Sequence, residues 1–249
     1  MTEPLLRLEI LDSVASTSDL CRSRALAGEG AGVAVLAREQ TAGRGTGSRT
    51  WQSPRGNLSM SVLLRPRERL EGAAEWSLLA SVALAEVLAA HLPDPAVLAL
   101  KWPNDVLLEG GKCAGILTES SGTPDGWIDF LILGFGVNLA VAPEVPDRPT
   151  TCLAQYATAP DPVAFGQKLL ESVETWMARR QKAGFAPVRS AWLALGPPEG
   201  ARLHLRTGAE TREGRFAGLS PDGRLLLATA AGTHAFAAGE LLAPLSGSV

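Results

Sequence analysis

The chain has 249 residues, of which 46% are hydrophobic, and its formal net charge is −3. This length fits one large domain, or a large domain followed by a small one, and the apolar content is ample for a buried core. The slightly acidic balance gives no general attraction for nucleic acid or for an anionic membrane. Two classes remain open at this point: an enzyme for a small molecule, and a module that binds a folded partner.

The sequence carries no targeting or disulfide signal. Its start, MTEPLLRLEILDS, lacks the basic residues and long apolar core of a signal peptide. Glu86 interrupts the apolar stretch at 78–90, so no charge-free run reaches membrane-spanning length. Cys21, Cys113 and Cys152 are odd in number and widely spaced, and they match neither a metal pattern nor a disulfide framework. We therefore expect a reduced, cytoplasmic protein without a metal site.

The first predicted elements are a strand within Leu5–Leu11 and a helix that Gly28 ends. The hydroxyl residues Ser16, Thr17 and Ser18 lie at the start of this helix, where one of them caps it. Capping needs a single hydroxyl, so the others are available to a polar ligand group. The free backbone N–H groups at the helix start would help to bind it.

A glycine-rich stretch, QTAGRGTGSRTW at Gln40–Trp51, separates two predicted strands. The apolar run 33–37 precedes it, and from Leu58 apolar and polar residues alternate, which predicts a strand with one face in solvent. Glycine lets a backbone approach a ligand, and Arg44 and Arg49 offer guanidinium groups to a carboxylate or phosphate. The loop is either a mobile lid over an anionic ligand or a solvated hairpin loop with incidental arginines, and its composition favours neither.

The next predicted helix, Ala73–His91, is apolar on nearly every side and is expected to be buried. Strand-like segments follow, separated by a sharp polar break at Trp102–Asp105 and a hairpin turn at Glu109–Lys112. Two longer strands come after the hairpin. The second is predicted to end in Gly134–Leu139, which contains a pair of glycines and an asparagine that looks exposed.

The composition and the predicted elements change in the last part of the chain. A proline- and threonine-rich segment, 140–160, is predicted to be irregular, and Asp161 caps a long amphipathic helix after it. The sequence GPPEG at Gly196–Gly200 is the clearest linker and divides the chain into domains 1–197 and 198–249. Short strands split by turns follow the linker and predict a small antiparallel barrel.

Polar side chains are placed at the strand ends and loops of the first domain. Each has an ordinary explanation, since Asn104 and Asp105 suit a turn and Lys112 suits a hairpin. Their common placement beside glycine, proline or tryptophan, in otherwise apolar contexts, argues for a site. The set comprises Ser16, Thr17, Ser18, Gln40, Arg44, Arg49, Lys101, Asn104, Asp105, Lys112 and Asn138.

Five motifs in this region resemble those of biotin protein ligases, also called biotin–[acetyl-CoA-carboxylase] ligases. They occur in the family's order. The motif KWPND, together with the run KxAGIL that begins at Lys112, is far more specific than a lone glycine motif. The resemblance implies an α/β (α+β) fold, in which a mixed sheet with flanking helices precedes a small SH3-like β-barrel. The motifs are STS at Ser16, QTAGRG…R.W at Gln40–Trp51, KWPND at Lys101–Asp105, GKCAGILTE at Gly111–Glu119 and GFGVNL at Gly134–Leu139.

The resemblance also implies a two-step acyl transfer. The biotin carboxylate attacks the α-phosphate of ATP, which binds with Mg²⁺, and gives biotinyl-5′-AMP and pyrophosphate. A lysine of a biotin carboxyl carrier domain then attacks this anhydride and releases AMP. The first step joins two anions and needs cations. The second needs an anhydride kept from water, which a closing loop would provide.

Each site residue takes a role from the resemblance. Lys112, Arg44 and Asp105 are the expected catalytic residues, with Lys112 bridging the biotin carboxylate and the α-phosphate, and Asp105 positioning phosphates, Mg²⁺ or the incoming lysine. Trp51 is expected to stack near adenine. The residues expected to bind biotin are Ser16, Thr17, Ser18, Gln40, Arg44, Gly45, Thr46, Lys112 and Gly115. Those expected to bind ATP are Arg49, Trp51, Asn104, Lys112 and Asn138.

Three features depart from the family's common pattern. Ser18 stands where an asparagine is usual, and its side chain is shorter. The loop usually carries another arginine near Thr46, so this loop has one cation fewer unless Arg49 serves instead. The first strand begins close to Met1, where some members carry a helix-turn-helix domain, so we expect a monofunctional ligase that does not bind DNA. A homodimer formed by edge-to-edge sheet contact is common in the family and is expected here.

Two alternatives to a biotin ligase stay open. A lipoate or octanoyl ligase of related fold would use a similar lysine. Biotin needs polar partners for its ureido ring, and Ser16–Ser18 with Gln40 suit that need better than a lipoyl pocket. A non-catalytic ligand-binding module is the other alternative, but mere binding needs no phosphate clamp of the kind that Lys112 and the arginine loop imply.

Overall fold

The computed structural model describes residues 6–146 and 148–242, and two β-sheets organise them. The strands of the large sheet are β1 Arg7–Leu11, β2 Val33–Ala37, β3 Leu58–Leu64, β4 Leu98–Lys101, β5 Asp105–Leu108, β6 Gly111–Gly122 and β7 Ile128–Val137. The strands of the small sheet are β8 Arg202–Thr207, β9 Glu210–Leu219, β10 Leu225–Thr229, β11 Gly232–Phe236 and β12 Glu240–Leu241. The α-helices are α1 Thr17–Leu26, α2 Ala73–Ala89, α3 Pro162–Ala183 and α4 Ala186–Leu195, and single 3₁₀ turns lie at Thr46–Ser48, Leu70–Gly72, Pro95–Val97 and Leu153–Gln155.

The large sheet is mixed, as expected. Its strand order is β1-β2-β3-β7-β6-β5-β4, with β1 parallel to β2 and the other neighbours antiparallel. Successive side chains of a strand point to opposite faces. In β2, Val33 and Val35 pack with Cys21 of α1, while Leu36 packs in the core formed with α2 and α3. Helices therefore cover the sheet on both faces, and α1 lies on the face opposite the other helices.

The predicted solvent face of β3 is wrong, because all seven residues of this strand are buried. The alternation of apolar and polar residues is real, but the polar face is covered by α1. Ser61 is fully buried and meets the hydroxyls of Thr17 and Ser18 there. Hydrogen-bonded hydroxyls can be buried at little cost, so polarity along this strand marks a buried polar cluster and not a wet surface.

The last long strand ends within the predicted segment, but the exposure predicted for the asparagine there is wrong. Strand β7 continues through Gly134 and Gly136 to Val137, paired with β3 on one side and β6 on the other. Asn138, which looked exposed in the sequence, has only 2% of its surface accessible. Its amide donates to the carbonyl of Thr151 at 3.0 Å, so the buried polar group is satisfied by neighbouring backbone.

The predicted long helices are confirmed. Asp161 caps α3 by accepting from the backbone N–H groups of Val163 and Ala164, both at 3.0 Å. The segment Leu70–Ala89, which contains α2, is long and apolar enough to cross a membrane, yet 61% of its most apolar window is buried inside the fold. We therefore interpret α2 as a core helix, in agreement with the sequence prediction.

The C-terminal strands, predicted to form a small antiparallel barrel, form an antiparallel sheet of five strands in the order β11-β10-β9-β8-β12. This unit packs directly on the larger one. The indole of Trp102 donates to the carbonyl of Gly223 at 3.4 Å, and Arg189 of α4 donates to the carbonyl of Leu219. The division at residues 197 and 198 stays a prediction, since α4 and the linker after it join the two units without a break.

Candidate active site

A cavity of about 40 Å³ lies where α1 begins above β3, β6 and β7. Ser16 is the N-cap, and its hydroxyl accepts from the N–H of Asp19 at 3.3 Å. Thr17 and Ser18 direct their hydroxyls to Ser61, at 2.7 and 3.0 Å. As the sequence indicated, one hydroxyl caps the helix and the other two serve a different purpose, which is to form the polar floor of the cavity.

Gln40 completes this floor from the start of the glycine-rich loop. Its carbonyl accepts from the N–H of Thr17 at 2.8 Å and from the Thr17 hydroxyl at 3.0 Å, and its amide donates to Ser53 at 2.8 Å. Both ends of the Gln40 side chain are thus bonded to protein, which fixes its orientation. A polar ligand in the cavity meets a set of groups that are already positioned.

Glycines make room for the loop against the sheet. A Cβ at Gly134 would lie 2.7 Å from the Ser18 hydroxyl, and one at Gly136 would lie 2.3 Å from the Trp51 ring. A Cβ at Gly115, which pairs with Gly136 across β6 and β7, would meet the Lys112 ammonium at 3.2 Å. The glycine pair therefore supplies the space that Trp51 and Lys112 occupy.

Lys112 projects from the start of β6 into the same cavity. Its ammonium lies 2.5 Å from a carboxylate oxygen of Asp105 and 5.7 Å from the centroid of the Trp51 ring. The Lys112 and Asp105 side chains are 23% and 13% exposed, so this ion pair is largely withdrawn from water. Nearby, burial lowers the pKa of Lys101, and the charge of Asp105 partly offsets that effect. Asp105 thus holds the ammonium of Lys112 in place from the opposing strand.

Arg44 is anchored at the mouth of the cavity by two acids. Its guanidinium contacts Glu119 at 2.7 Å and Asp19 at 2.8 Å. Within the part of the chain that the structure describes, the Nε of Arg44 and the Nε1 of Trp51 are buried without a hydrogen-bond partner. Unpaired buried donors are costly, so two groups of the glycine-rich loop are left to bond an acceptor that a ligand would bring.

A second cavity, of about 280 Å³, adjoins the first. Four residues line both cavities, and they come from the loop and from β6. These shared residues are Gly45, Thr46, Trp51 and Lys112. The other residues of the second cavity are Arg49, Thr50, Gln52, Asn138, Pro143, Glu144, Val145, Pro146, Arg148 and Thr150. The shared wall means that a molecule in either cavity would lie beside Lys112.

The two asparagines expected at ATP lie apart from each other. Asn138 lines the second cavity, where its amide is held by the carbonyl of Thr151. Asn104 lines the first cavity and not the second, and its amide donates to the carbonyl of Ile116 at 2.6 Å. The polar break in KWPND therefore points into the first cavity, beside Lys112.

An arginine cluster closes the far side of the second cavity. Arg49, Arg148 and Arg206 all bind the carboxylate of Glu240, at 2.8 Å for Arg49 and 2.5 Å for Arg206. Arg49 also donates to the carbonyl of Thr46 at 2.9 Å. Burial raises the pKa of Glu240, but the hydrogen bonds from Arg206 and Arg49 and the charges of Arg148 and Arg49 outweigh it and bring that pKa down to about 2.

Sequence reasoning missed five residues of this region. Ser61 in β3 and Asn57 directly before it belong to the alternating polar positions, for which the sequence predicts a solvent face. Asn57 accepts from three consecutive backbone N–H groups after β7, at 3.0 to 3.1 Å, and fixes the start of the loop that lines the second cavity. Glu119, Arg148 and Glu240 give no local signal, because each acts through a partner that is distant in sequence.

The geometry defines a class of protein that brings two ligands together at a lysine, and the comparisons agree with this class. A family model described as "Biotin/lipoate A/B protein ligase family" matches residues 11–138, and one described as "Biotin protein ligase C terminal domain" matches residues 200–241. The fold and the site therefore have the family's two parts in the family's order.

Within this class of biotin and lipoate ligases, the chain is similar to the following biotin ligases. The chain is 41% identical over 213 residues to a biotin–[acetyl-CoA-carboxylase] ligase of Paracoccus denitrificans, covering 83% of this chain and 88% of the relative. It is 32% identical over 244 residues to an enzyme of the same name from Mycobacterium tuberculosis, covering 95% and 88%. A biotin protein ligase from Aquifex aeolicus, solved with biotin and ATP, superposes with a TM-score of 0.79 at 28% identity, covering 94% of this chain and 97% of that one. The chain belongs to the biotin protein ligase family.

Proposed function

We propose that this chain is an ATP-dependent biotin protein ligase. It forms biotinyl-5′-AMP from biotin and ATP and then transfers biotin to a lysine of a biotin carboxyl carrier domain. The observation that carries the proposal is that Lys112 lies in the wall between two adjoining cavities. A reaction that joins two anions needs a cation where they meet, and Lys112 supplies it.

The first cavity is proposed to bind biotin. The hydroxyl and amide groups of Thr17, Ser18 and Gln40 suit the ureido ring, and the unpaired donors of Arg44 and Trp51 suit a carboxylate. At about 40 Å³ the cavity is far smaller than the several hundred Å³ of a typical ligand pocket. The Trp51 ring, packed on Gly136, fills part of the space, so we expect the loop to open and Trp51 to move when biotin enters.

The second cavity is proposed to bind the nucleotide. It is lined by apolar residues of the loop after β7, by the buried Asn138 and by Arg49 and Arg148. An adenosine would find apolar walls and amide groups there, and its phosphates would find the guanidinium groups. Mg²⁺ arrives as part of the ATP substrate. Among residues 6–146 and 148–242 no group of three His, Cys, Asp or Glu side chains could hold a resident metal.

The two reaction steps proposed here take place at the junction of the two cavities. In the first step a biotin carboxylate oxygen bonds to the α-phosphorus, the bond from that phosphorus to the bridging oxygen breaks, and pyrophosphate leaves. In the second step the amine of the acceptor lysine bonds to the biotin carbonyl carbon, loses its proton, and AMP leaves. Lys112 neutralises negative charge in both steps, and Asp105 acts as a positioning residue because its ion pair fixes that ammonium.

The polar floor of the first cavity separates this function from lipoate or octanoyl transfer. A lipoyl chain offers no ureido group to Thr17, Ser18 and Gln40, whose hydrogen-bonding groups would be buried without a ligand partner. The decisive experiment is ATP–pyrophosphate exchange with purified protein, magnesium and either biotin or lipoate. Exchange with biotin, followed by labelling of a carrier domain, supports the proposal. Exchange with lipoate alone, or with neither acid, overturns it.

We also propose a homodimer, a cytoplasmic location and no role in DNA binding. Strands β1 and β4 are the edges of the large sheet, and β1 offers an edge to a second copy. The three cysteines are buried and unbridged, which suits a reducing compartment. Sedimentation over a range of concentrations tests the dimer, and a monomer throughout, with and without biotin and ATP, would exclude it. Operator binding in a gel shift would contradict the last proposal.

A further inference from the structure

The arginine cluster around Glu240 contains two cations, Arg148 and Arg206, that are absent from the site residues inferred from the sequence. Arg49 comes from the glycine-rich loop, Arg148 from the loop after β7, and Arg206 from β8. Glu240 is paired with Arg206 across β12 and β8, so the second unit of the fold presents this carboxylate to the first. One carboxylate thus holds three guanidinium groups, and the cluster keeps an excess of positive charge.

Only part of this cluster faces the second cavity. Arg49 and Arg148 line it, whereas Arg206 does not. Lys112 lines the same cavity towards the first one, and among the described residues of its lining the one acid is Glu144, which is exposed. The second cavity thus has Lys112 in the wall that it shares with the first cavity, and Arg49 and Arg148 at the Glu240 cluster. This distribution of cations suits a ligand whose negative charges are spread along its length.

We propose that Arg148 binds the β- and γ-phosphates of ATP, and the pyrophosphate that the reaction releases. The inference rests on the proposed function. In the protein without nucleotide, Glu240 occupies the guanidinium groups of Arg49 and Arg148 with a carboxylate. A polyphosphate carries more charge and more acceptor oxygens than one carboxylate, so it takes these donors over while Arg206 retains Glu240.

The contacts of Arg49 within the glycine-rich loop agree with this assignment. In this chain Thr46 accepts two hydrogen bonds from Arg49, at 2.9 Å to its carbonyl and 2.7 Å to its hydroxyl, and so fixes Arg49 beside the cavity. Arg148, from a different loop, supplies the second guanidinium group that lines this cavity.

Affinity for ligands with different numbers of phosphates separates phosphate binding from a merely structural role. The experiment measures the binding of ATP, pyrophosphate and AMP by calorimetry to the wild type, Arg148→Ala, Arg148→Lys and Arg55→Ala. Arg55 is the control, since its guanidinium is also held in ion pairs, here with Asp12 and Glu39, but lines neither cavity. Adenylate formation from biotin and ATP is measured in parallel.

We expect Arg148→Ala to weaken ATP and pyrophosphate binding about tenfold or more, because charge-assisted hydrogen bonds are lost. AMP binding should stay within about twofold, since AMP has no β- or γ-phosphate, and Arg148→Lys should recover part of the loss because it keeps the charge. Arg55→Ala should match the wild type.

Two results would overturn the assignment. One is equal ATP affinity in Arg148→Ala and Arg55→Ala. The other is an equal loss for AMP and ATP, which would show that Arg148 only supports the loop after β7. Failure of the wild type to form an adenylate would overturn the proposed function instead, and the binding data would still decide whether Arg148 contacts phosphate.

Discussion

Lys112 shows how one residue acquires a function from its surroundings. Its identity alone fits a hairpin turn, but Asp105 on the opposing strand, Trp51 from the loop and the absence of a side chain at Gly115 together hold its ammonium between the two cavities. Each neighbour is supplied by a different element of the large unit. The site therefore depends on the whole sheet being in register.

Removing the ammonium tests this directly. Lys112→Ala should lower kcat/KM for biotinyl-AMP formation by about 10³-fold or more, because Lys112 is the charged residue among the described residues that line both cavities. Pyrophosphate exchange measures the loss. Lys168→Ala is the control, since Lys168 forms an exposed ion pair with Glu171 on α3 and should keep full activity. Near-normal exchange by Lys112→Ala would refute the assigned role.

The glycine under Trp51 gives a second prediction for a single residue. A Cβ at Gly136 would come within 2.3 Å of the Trp51 ring, whereas nothing lies within 4 Å of one at Gly30. Gly136→Ala should therefore destabilise the ligand-free protein by about 1–3 kcal/mol, as overpacking does. Denaturant unfolding of both variants measures the difference. Equal stability of Gly136→Ala and Gly30→Ala would show that Trp51 does not rest on this strand.

At the scale of elements, the glycine-rich loop has two functions to reconcile. Under the proposed function it opens to admit biotin and closes to protect the anhydride. Arg44 joins the loop to Asp19 of α1 and Glu119 of β6, and Arg49 joins it to Glu240 of β12. The closed form is thus held by ion pairs at both ends, which water and ligands can replace at modest cost.

Loosening one end should release the intermediate. Arg44→Ala is expected to increase the escape of labelled biotinyl-AMP during rapid filtration, because the loop loses its anchor and a group that faces the cavity. The control is Arg22→Ala, since Arg22 pairs with the same Glu119 at 3.5 Å but does not line the cavity. Unchanged retention by Arg44→Ala would count against the lid interpretation.

Elements that local pattern determines were predictable, and elements that distant packing determines were not. The run 33–37 and the helix after Asp161 have the lengths and caps that the sequence indicates. The burial of β3 was missed because α1, which covers its polar face, gives no sign of doing so in the sequence of β3. The motif residues could be collected from resemblance, but their hydrogen-bond partners could not.

At the scale of the whole molecule, Glu240 of the small unit forms ion pairs with two arginines of the large unit. Its contact with Arg49 spans 191 residues of sequence, and its contact with Arg148 spans 92. No periodicity or motif encodes such a pair, since it depends on how the small sheet packs against the large unit. This is the part of the site that the sequence could not have predicted.

The titration of Glu240 should make this connection measurable. Its pKa in the folded protein is about 2 against an ordinary 4.5, so the fold gains from the ionised form. That gain, up to about 3 kcal/mol, is complete above pH 4.5 and is lost as the pH falls towards 2.

Unfolding free energies measured from pH 6 to 2 should therefore fall less steeply for Glu240→Gln than for the wild type, because the amide does not titrate. Parallel curves would show that the carboxylate contributes nothing. A second titrating acid could not mimic the difference, since both proteins retain all other acids.

The position of Glu240 along the chain has a consequence for biosynthesis. The large unit supplies the described residues that line both cavities, but the carboxylate that gathers its arginines is made some ninety residues after the second of them, Arg148. A nascent chain therefore passes through a stage in which the residues of both cavities have been made while Arg49 and Arg148 still lack the carboxylate that holds them. We expect the arginine cluster to assemble only after β12 has been synthesised.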